Sequence, residues 1–279
     1  MSTQTAAPPA ITIHPVGFVR VIRSEWLKLW SLRSTYWALG ATLVAMILMS
    51  LLMAVGAATS AENPEFGPGP DGTMVIGFSY FMAQLVIAVL GVLMISGEYS
   101  TGMIRSTLAA VPTRLPVLAA KAIIITVVAF VVGVVGVLAS YVITMPMLSN
   151  AGGAADLGDP EVLRLVWGTG LYLAAVGLLG LGIGALLRHS AGAIATVLGI
   201  ILLLPMIVQL AMNPLEWLRD AYPYLPSVAG EQIVAIDSPD MDAMGMPAGL
   251  EPWTGFGVLI AYVAVVHLAA ALLLRRRDA

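Results

Sequence analysis

The sequence predicts an all-α polytopic membrane protein: a bundle of six transmembrane helices, preceded by an amphipathic interfacial helix, with both termini cytoplasmic. Composition, six long apolar stretches and an asymmetric distribution of basic residues support this prediction. Of the 279 residues, 59% are hydrophobic and 10% are charged, whereas soluble domains carry about 25% charged residues. Because a soluble fold of this length leaves roughly a quarter of its unfolded surface in water, so apolar a chain needs lipid as its solvent.

Six apolar stretches are each long enough to cross a hydrocarbon core of about 30 Å. They are continuously apolar rather than alternating, which favours helices over the strands of a barrel. The first stretch, at about 20 residues, exceeds the core of a signal peptide, so we expect it to be retained as a helix. The stretches, which together make a transmembrane domain over 37–274, are residues 37–59, 74–96, 118–143, 164–187, 191–212 and 255–274.

The basic residues give this bundle a direction. Eleven of the 13 Lys and Arg residues precede the first stretch, follow the last one, or lie in the connections between the second and third and between the fourth and fifth. Only Arg164 and Arg219 fall on the other side. Since short cytoplasmic loops are enriched in Lys and Arg, both termini are expected in the cytoplasm.

Residues 1–15 are predicted to form a disordered tail and residues 16–34 an amphipathic helix. In the second segment, apolar side chains recur at intervals of three or four, and basic residues occupy another face. This pattern is typical of a helix that lies in the membrane interface. Such a helix either only anchors the first membrane helix or also contacts a cytoplasmic partner, and the pattern allows both.

Residues 97–117 are predicted to be a cytoplasmic coupling segment. Ser100 or Thr101 is a suitable N-cap for a short helix over about 102–110, and Pro112 ends that helix. A carboxylate at a membrane boundary usually pairs with a cation, so we expect Glu98 to pair with Arg105 or with an arginine of a partner. The alternative is an ordinary basic loop.

Two further features concern the second half of the chain. The extracellular segment 213–254 is rich in aromatic residues and is interrupted by prolines, which predicts short re-entrant or interfacial helices; a loop with an aromatic belt is the alternative. Gly180 and Gly184 form a Gly-xxx-Gly pair. Such pairs allow helices to approach closely, either within one bundle or between two chains.

Several classes of function are disfavoured. The chain has no cysteine, its three histidines are far apart, and no metal site is predicted. No Asp, Glu, Lys or Arg lies in the middle of an apolar stretch, which argues against an ion-coupled carrier. No phosphate-binding loop of the Gly-xxxx-Gly-Lys-Ser/Thr type occurs, so another chain would have to bind ATP if ATP drives the protein.

The chain resembles permease subunits of the ABC-2 type, the membrane components of ATP-binding-cassette exporters, and in particular their actinobacterial members. Three segments carry the resemblance: the Ser-Glu-Trp-Leu-Lys-Leu segment at 24–29 with Arg-Ser-Thr-Tyr-Trp at 33–37, the Gly-Glu-Tyr-Ser-Thr-Gly-Met-Ile-Arg segment at 97–105 with its continuation to 121, and Tyr-Leu-Pro-Ser at 224–227. Together they extend over nearly the whole length.

The resemblance implies two permease chains, paired as a homodimer or a heterodimer in a bacterial cytoplasmic membrane, with two copies of a separate ATPase below. That ATPase would bind ATP and Mg, while this chain would hold no cofactor and no nucleic acid and would not be an enzyme. The exporter class implies outward movement, and the mostly apolar walls of the helices suit a lipophilic substrate (a drug, peptide or lipid). A scaffold or immunity protein and, less favoured, an ion-coupled carrier are the alternatives. The residues that the resemblance assigns to ATPase coupling are Glu25, Lys28, Glu98, Thr101, Arg105, Pro112 and Arg114.

Overall fold

The computed structural model describes residues 17–63, 65, 69–110, 114–150, 153–212, 215–236 and 247–276. In this part of the chain the fold is entirely helical, with no strand. Six helical segments are long and apolar enough to cross a membrane, which confirms the predicted class. They are Arg33–Glu62, Gly72–Ser100, Leu115–Ser149, Pro160–Leu187, Ser190–Ala211 and Pro252–Arg275. The predicted tail at 1–15 lies outside the described residues.

The individual helices follow the chain in a simple order. They are α1 (Phe18–Ser31), α2 (Arg33–Glu62), α3 (Gly72–Gly77), α4 (Tyr80–Ser100), α5 (Met103–Ala110), α6 (Leu115–Asn150), α7 (Pro160–Leu187), α8 (Ser190–Leu198), α9 (Leu204–Ala211), α10 (Trp217–Ala221), α11 (Pro226–Glu231) and α12 (Pro252–Arg276).

The fifth membrane segment consists of α8 and α9 joined by a turn of π-helix at Gly199–Leu203. Pro205 stands within the first two positions of α9. Because proline has no N–H to donate and its ring crowds the preceding turn, a regular α-helical hydrogen-bond ladder cannot continue through this position. The wider π turn accommodates the interruption without ending the segment.

Helix α7 forms the centre of the bundle. The apolar window of this helix is 78% buried, whereas those of α2, the α8–α9 segment and α12 are 22% buried. Glycines bring α4 against it: a Cβ atom on Gly180 would overlap the carbonyl oxygen of Ala88, and one on Gly184 would lie 2.9 Å from the carbonyl oxygen of Val92. The Gly-xxx-Gly pair of the sequence thus lies at a contact between two helices of the same chain.

The segment between α9 and α12 folds back into the bundle. Arg164, near the start of α7, donates hydrogen bonds to the carbonyl oxygens of Gln232, Ile233 and Ala235 at 2.9–3.3 Å. A Cβ atom on Gly230 would lie 2.9 Å from the Tyr172 ring, so the absence of a side chain allows α11 to reach α7. Within the predicted segment 213–254, residues 213, 214 and 237–246 lie outside the described part.

Helix α1 lies against the beginning of α6. Its buried residues are Val21, Glu25 and Leu29, four positions apart and therefore on one face. Val21 packs against Val117 and Ala120 of α6. The burial of a glutamate in the middle of this face is the feature that positions the candidate site.

Candidate functional site

Four charged side chains from three helices meet at one end of the bundle, where α4 ends and α6 begins. We call this end the basic end and the group of Glu25, Lys28, Glu98 and Lys121 the ionic cluster. The first two belong to α1, Glu98 lies in the last turn of α4, and Lys121 lies in the second turn of α6. The chain separates Glu25 from Lys121 by 96 residues, so the fold rather than local sequence brings them together.

The ammonium group of Lys121 holds α1, α4 and α6 together. Its Nζ lies 2.5 Å from Oε2 of Glu25, 2.7 Å from Oε1 of Glu98 and 3.0 Å from the carbonyl oxygen of Met94. An ammonium group has three N–H donors, and each of the three has an acceptor here. Lys121 is only 2% exposed.

The ammonium group of Lys28 makes a second set of three bonds. Its Nζ lies 2.6 Å from Oε1 of Glu25, 3.2 Å from Oε1 of Glu98 and 3.1 Å from Oγ1 of Thr107 in α5. Burial lowers the pKa of Lys28, but the hydrogen bonds and charges of Glu25 and Glu98 outweigh burial and raise it above the ordinary value. Lys28 is therefore charged, and it links α5 to the cluster.

The ionic cluster contains two carboxylates and two ammonium groups, so its formal charge is zero. Glu25 is 3% exposed and Glu98 is 4% exposed. Buried charges persist in a fold when they are paired and hydrogen-bonded, and removing one member of such a pair typically costs about 3–5 kcal/mol. The four helices that supply the cluster and Thr107 are therefore coupled at this end of the bundle: a displacement of one disturbs the partners of the others.

Two of the other predicted coupling residues, Thr101 and Arg114, have described side chains. Thr101 donates its hydroxyl to the carbonyl oxygen of Gly97 at 2.9 Å and is exposed. Arg114 has a φ of 56° and donates from Nη1 to the carbonyl oxygen of Leu274 near the end of α12, at 3.1 Å. The side chain of Arg105, in α5, and the whole of Pro112 lie outside the described residues. Among the described side chains, the cationic partners of Glu98 are Lys28 and Lys121.

A further contact joins α4 to the turn between α7 and α8. The guanidinium carbon of Arg188 lies 5.2 Å from the centre of the Tyr99 ring, within the range of a cation–π interaction. Arg188 is the left-handed C-cap of α7, with a φ of 56°. Beside it, Ser190 donates its hydroxyl to Ser96 at 2.9 Å. The end of α4 therefore contacts α1 and α6 through the ionic cluster and the turn between α7 and α8 through Tyr99 and Ser96.

The exposed surface of α1 combines charged with apolar side chains, among them Leu27. Leu27 is 60% exposed and lines a shallow groove together with Arg20, Arg23, Ser24, Lys28 and Ser31. An exposed leucine surrounded by arginines and serines differs from the lipid-facing residues of the bundle, whose neighbours are apolar. This groove, which we call the α1 groove, borders the ionic cluster at Lys28.

A second polar cluster lies in the other half of the bundle. Glu231, at the end of α11, has its Oε1 3.3 Å from the hydroxyl of Tyr172, and that hydroxyl lies 2.5 Å from Oε1 of Gln84. Burial raises the pKa of the Glu231 carboxyl to about 7, although hydrogen bonds from Tyr172, Tyr80 and Gln84 oppose the rise. No pattern in the sequence predicted this cluster, because Glu231 lies between two apolar stretches.

These observations define the class of protein: a multi-pass integral membrane protein whose charged residues lie near the ends of its six apolar helices. The chain matches the model of the ABC-2 family transporter proteins over residues 21–206, which is 186 of its 279 residues. The chain belongs to this family. A comparison with curated proteins gives no match.

Proposed function

We propose that the chain is the transmembrane permease subunit of an ATP-driven exporter and that a separate ATPase subunit binds ATP and Mg. The basic end is then the cytoplasmic end, since 11 of the 13 Lys and Arg residues fall on that side. Both termini lie there, and the segment with α10 and α11 faces the outside of a bacterial cytoplasmic membrane. A second permease chain completes the translocation unit.

The observation that carries this proposal is the ionic cluster. It connects α1, which lies at the edge of the bundle, to the ends of two membrane helices through charge-assisted bonds of 2.5–2.7 Å. A force that a partner applies to α1 or α5 reaches α4 and α6 through these bonds. Because α4 packs on the central helix α7 by glycine contacts, a tilt of α4 changes the core of the bundle.

The partner contacts the α1 groove and the exposed part of α5. Glu25 and most of Lys28 face inward, so their role is to transmit a movement rather than to touch the ATPase. The exposed positions Arg20, Arg23 and Leu27 suit a partner with an apolar pocket and an acidic rim. Rim charges mainly set the rate and orientation of association, whereas a buried apolar anchor supplies affinity.

The substrate is lipophilic and moves outward. The six membrane segments carry their Lys, Arg, Asp and Glu residues near their ends, so the walls that they offer between the ends are mainly apolar. A drug, a peptide or a lipid with a large apolar surface gains transfer free energy along such a wall.

Co-purification tests the proposal. The tagged chain is expressed in its native host, extracted, and assayed for bound protein and ATP hydrolysis. We expect an ATPase to co-purify, and we expect Arg23→Glu to reduce its recovery because the change reverses a charge on the α1 groove. Arg219→Glu, the same reversal at the other end of the bundle, is the matched control. Failure of any ATPase to co-purify would contradict the assignment, and equal recovery with Arg23→Glu would contradict the groove.

A further inference from the structure

A carboxyl, a carboxamide and two phenols meet inside the bundle, away from the ionic cluster. Glu231 reaches Tyr172, which follows the first residue of α7, Pro160, by 12 positions, or about 18 Å of helix. Tyr80, Gln84 and Tyr172 are buried, at 8%, 1% and 0% exposure. The segment between α9 and α12 therefore places a partly exposed ionisable group against buried side chains of α4 and α7.

The positions of the oxygen atoms decide where the hydrogens lie. The hydroxyl of Tyr172 is 2.5 Å from Oε1 of Gln84 and 3.3 Å from Oε1 of Glu231. A tyrosine hydroxyl has a single hydrogen, and the shorter contact, to a carbonyl oxygen that has no hydrogen, requires it. The Tyr172 oxygen then faces Glu231 as an acceptor, so the 3.3 Å contact is a hydrogen bond only if Glu231 donates.

The amide of Gln84 agrees with this arrangement. Its NH₂ group donates to the Glu231 carboxyl, as does the hydroxyl of Tyr80. The orientation of a Gln amide is assigned from such a network, and here the reverse orientation would turn the amide oxygen toward the carboxyl. With a proton on Glu231, three bonds close a ring: Glu231 donates to Tyr172, Tyr172 to Gln84, and Gln84 to Glu231.

We propose that Glu231 is a proton-binding site within the bundle and that the bound proton closes this hydrogen-bond ring. When the carboxylic acid releases its proton to water, the carboxylate takes the hydrogen of Tyr172, and Gln84 loses its donor. Two oxygens 2.5 Å apart then have no hydrogen between them, so the ring opens and α11 loses a connection to α4. Binding of one proton thus fixes the re-entrant helix on the bundle.

The groups that surround Glu231 support a proton rather than a metal or an internal ion pair. The partners that the structure gives its carboxyl, Tyr80, Gln84 and Tyr172, are all uncharged. The charge of Glu231 also contributes to the raised pKa of Tyr222, in the turn before α11. Arg164 of α7 donates its hydrogen bonds to backbone carbonyl oxygens. On α12, the titratable side chains in the described part are Tyr262, which is 41% exposed, His267 and Arg275. His267 and Arg275 follow the contact of Leu259 with Gly230 by two or more turns toward the basic end.

This proposal goes beyond ATP-driven export and does not depend on it. The sequence argues against ion coupling because no carboxylate lies in the middle of an apolar stretch. The structure supplies a carboxyl by another route, from a segment that folds back between the helices. A proton bound there biases the position of α11 whether or not an ATPase is attached at the other end.

Infrared spectroscopy tests the site directly. The full chain, labelled with ¹³C-glutamate in lipid vesicles, is titrated between about pH 5 and 9, and the C=O stretch of protonated glutamic acid is followed. The variants are Glu231→Gln, which removes the site, and Tyr172→Phe, which removes a donor to the carboxylate. Glu251→Gln, at an exposed position just before α12, is the matched control.

We expect a band that disappears with a midpoint near pH 7, that is missing in Glu231→Gln and that is unchanged in Glu251→Gln. In Tyr172→Phe the midpoint should move away from that of the unmodified chain, because Tyr172 is a member of the ring around the carboxylic acid and a donor to the carboxylate once the ring opens. Identical titrations of the unmodified chain and Glu231→Gln would overturn the proposal. If Glu231→Gln does not insert, an unchanged midpoint in Tyr172→Phe would overturn it. Neither result bears on co-purification of an ATPase.

Discussion

The Nζ of Lys121 lies 2.5 Å from Oε2 of Glu25, and both side chains are almost fully buried. This single contact joins a helix at the edge of the bundle to a membrane helix that begins nearly a hundred residues later. The same ammonium group also binds Glu98 at 2.7 Å. Lys121 is therefore the residue at which α1, α4 and α6 converge.

Replacement of Lys121 by Met should destabilise the protein strongly. The change leaves the carboxylates of Glu25 and Glu98 buried with Lys28 as their one remaining described cation, and breaking a buried pair in this way costs about 3–5 kcal/mol. Thermal unfolding in lipid nanodiscs measures the loss. Adding Glu25→Gln to Lys121→Met should recover part of it, since one unpaired charge is removed. A double variant that is less stable than the sum of the single changes would contradict the pairing.

The sequence predicted the membrane helices well because hydropathy and length alone determine them in lipid. Hydropathy could not predict the ionic cluster in the same way. In the sequence, Lys121 could not be distinguished from the other basic residues at the predicted cytoplasmic border. Glu98 had several cations near it along the chain. Choosing among these partners requires the crossing of α1 over α6. That crossing depends on packing between Val21 and Ala120, which has no signature in a single sequence.

The segment between α9 and α12 shows a different limit of prediction from the sequence. Its prolines and aromatic residues predicted short helices, and α10 and α11 are present. The pattern did not predict how closely these helices approach α7, because that approach depends on glycines in other elements. Gly168 of α7 would carry a Cβ atom 2.7 Å from the carbonyl oxygen of Ile233. Only the three-dimensional fold reveals that this glycine makes room for the segment that carries Glu231.

Replacement of Glu98 by Gln should uncouple ATP hydrolysis from transport. The amide keeps the shape of the side chain but loses the charge that binds Lys28 and Lys121, and hydrogen bonds to a charged group contribute about 1.5–3 kcal/mol. We expect insertion and ATPase activity to persist while transport per ATP falls by about tenfold or more. Transport and hydrolysis measured together in proteoliposomes give this ratio. Glu62→Gln is the matched control, because Glu62 is exposed and lies where α2 ends, away from the ionic cluster. This change should leave the ratio of transport to hydrolysis unchanged. Full coupling in Glu98→Gln would contradict the role of the cluster.

Replacement of Gly180 by Ala should loosen the contact between α4 and α7. The added methyl group would overlap the carbonyl oxygen of Ala88, which belongs to the backbone and cannot rotate away. Overpacking of this kind costs about 1–3 kcal/mol. Gly40→Ala is the matched control, because nothing lies within 4 Å of the position its Cβ would take. Equal unfolding temperatures for the two variants would show that α4 and α7 do not pack as described.

The stability of the chain should depend on pH through Glu231. The pKa of this carboxyl is about 7 in the folded chain against an ordinary value of 4.5, so the folded state binds the proton more tightly. The contribution of this bound proton to the free energy of unfolding is then fully present below about pH 4.5 and is lost as the pH rises to about 7. Glu231→Gln stays uncharged at every pH. The unfolding temperature of this variant, relative to that of the unmodified chain, should therefore increase across this interval, by the equivalent of about 1–3 kcal/mol. Glu251→Gln should show no such trend, and a constant difference between Glu231→Gln and the unmodified chain would mean that Glu231 does not titrate on folding.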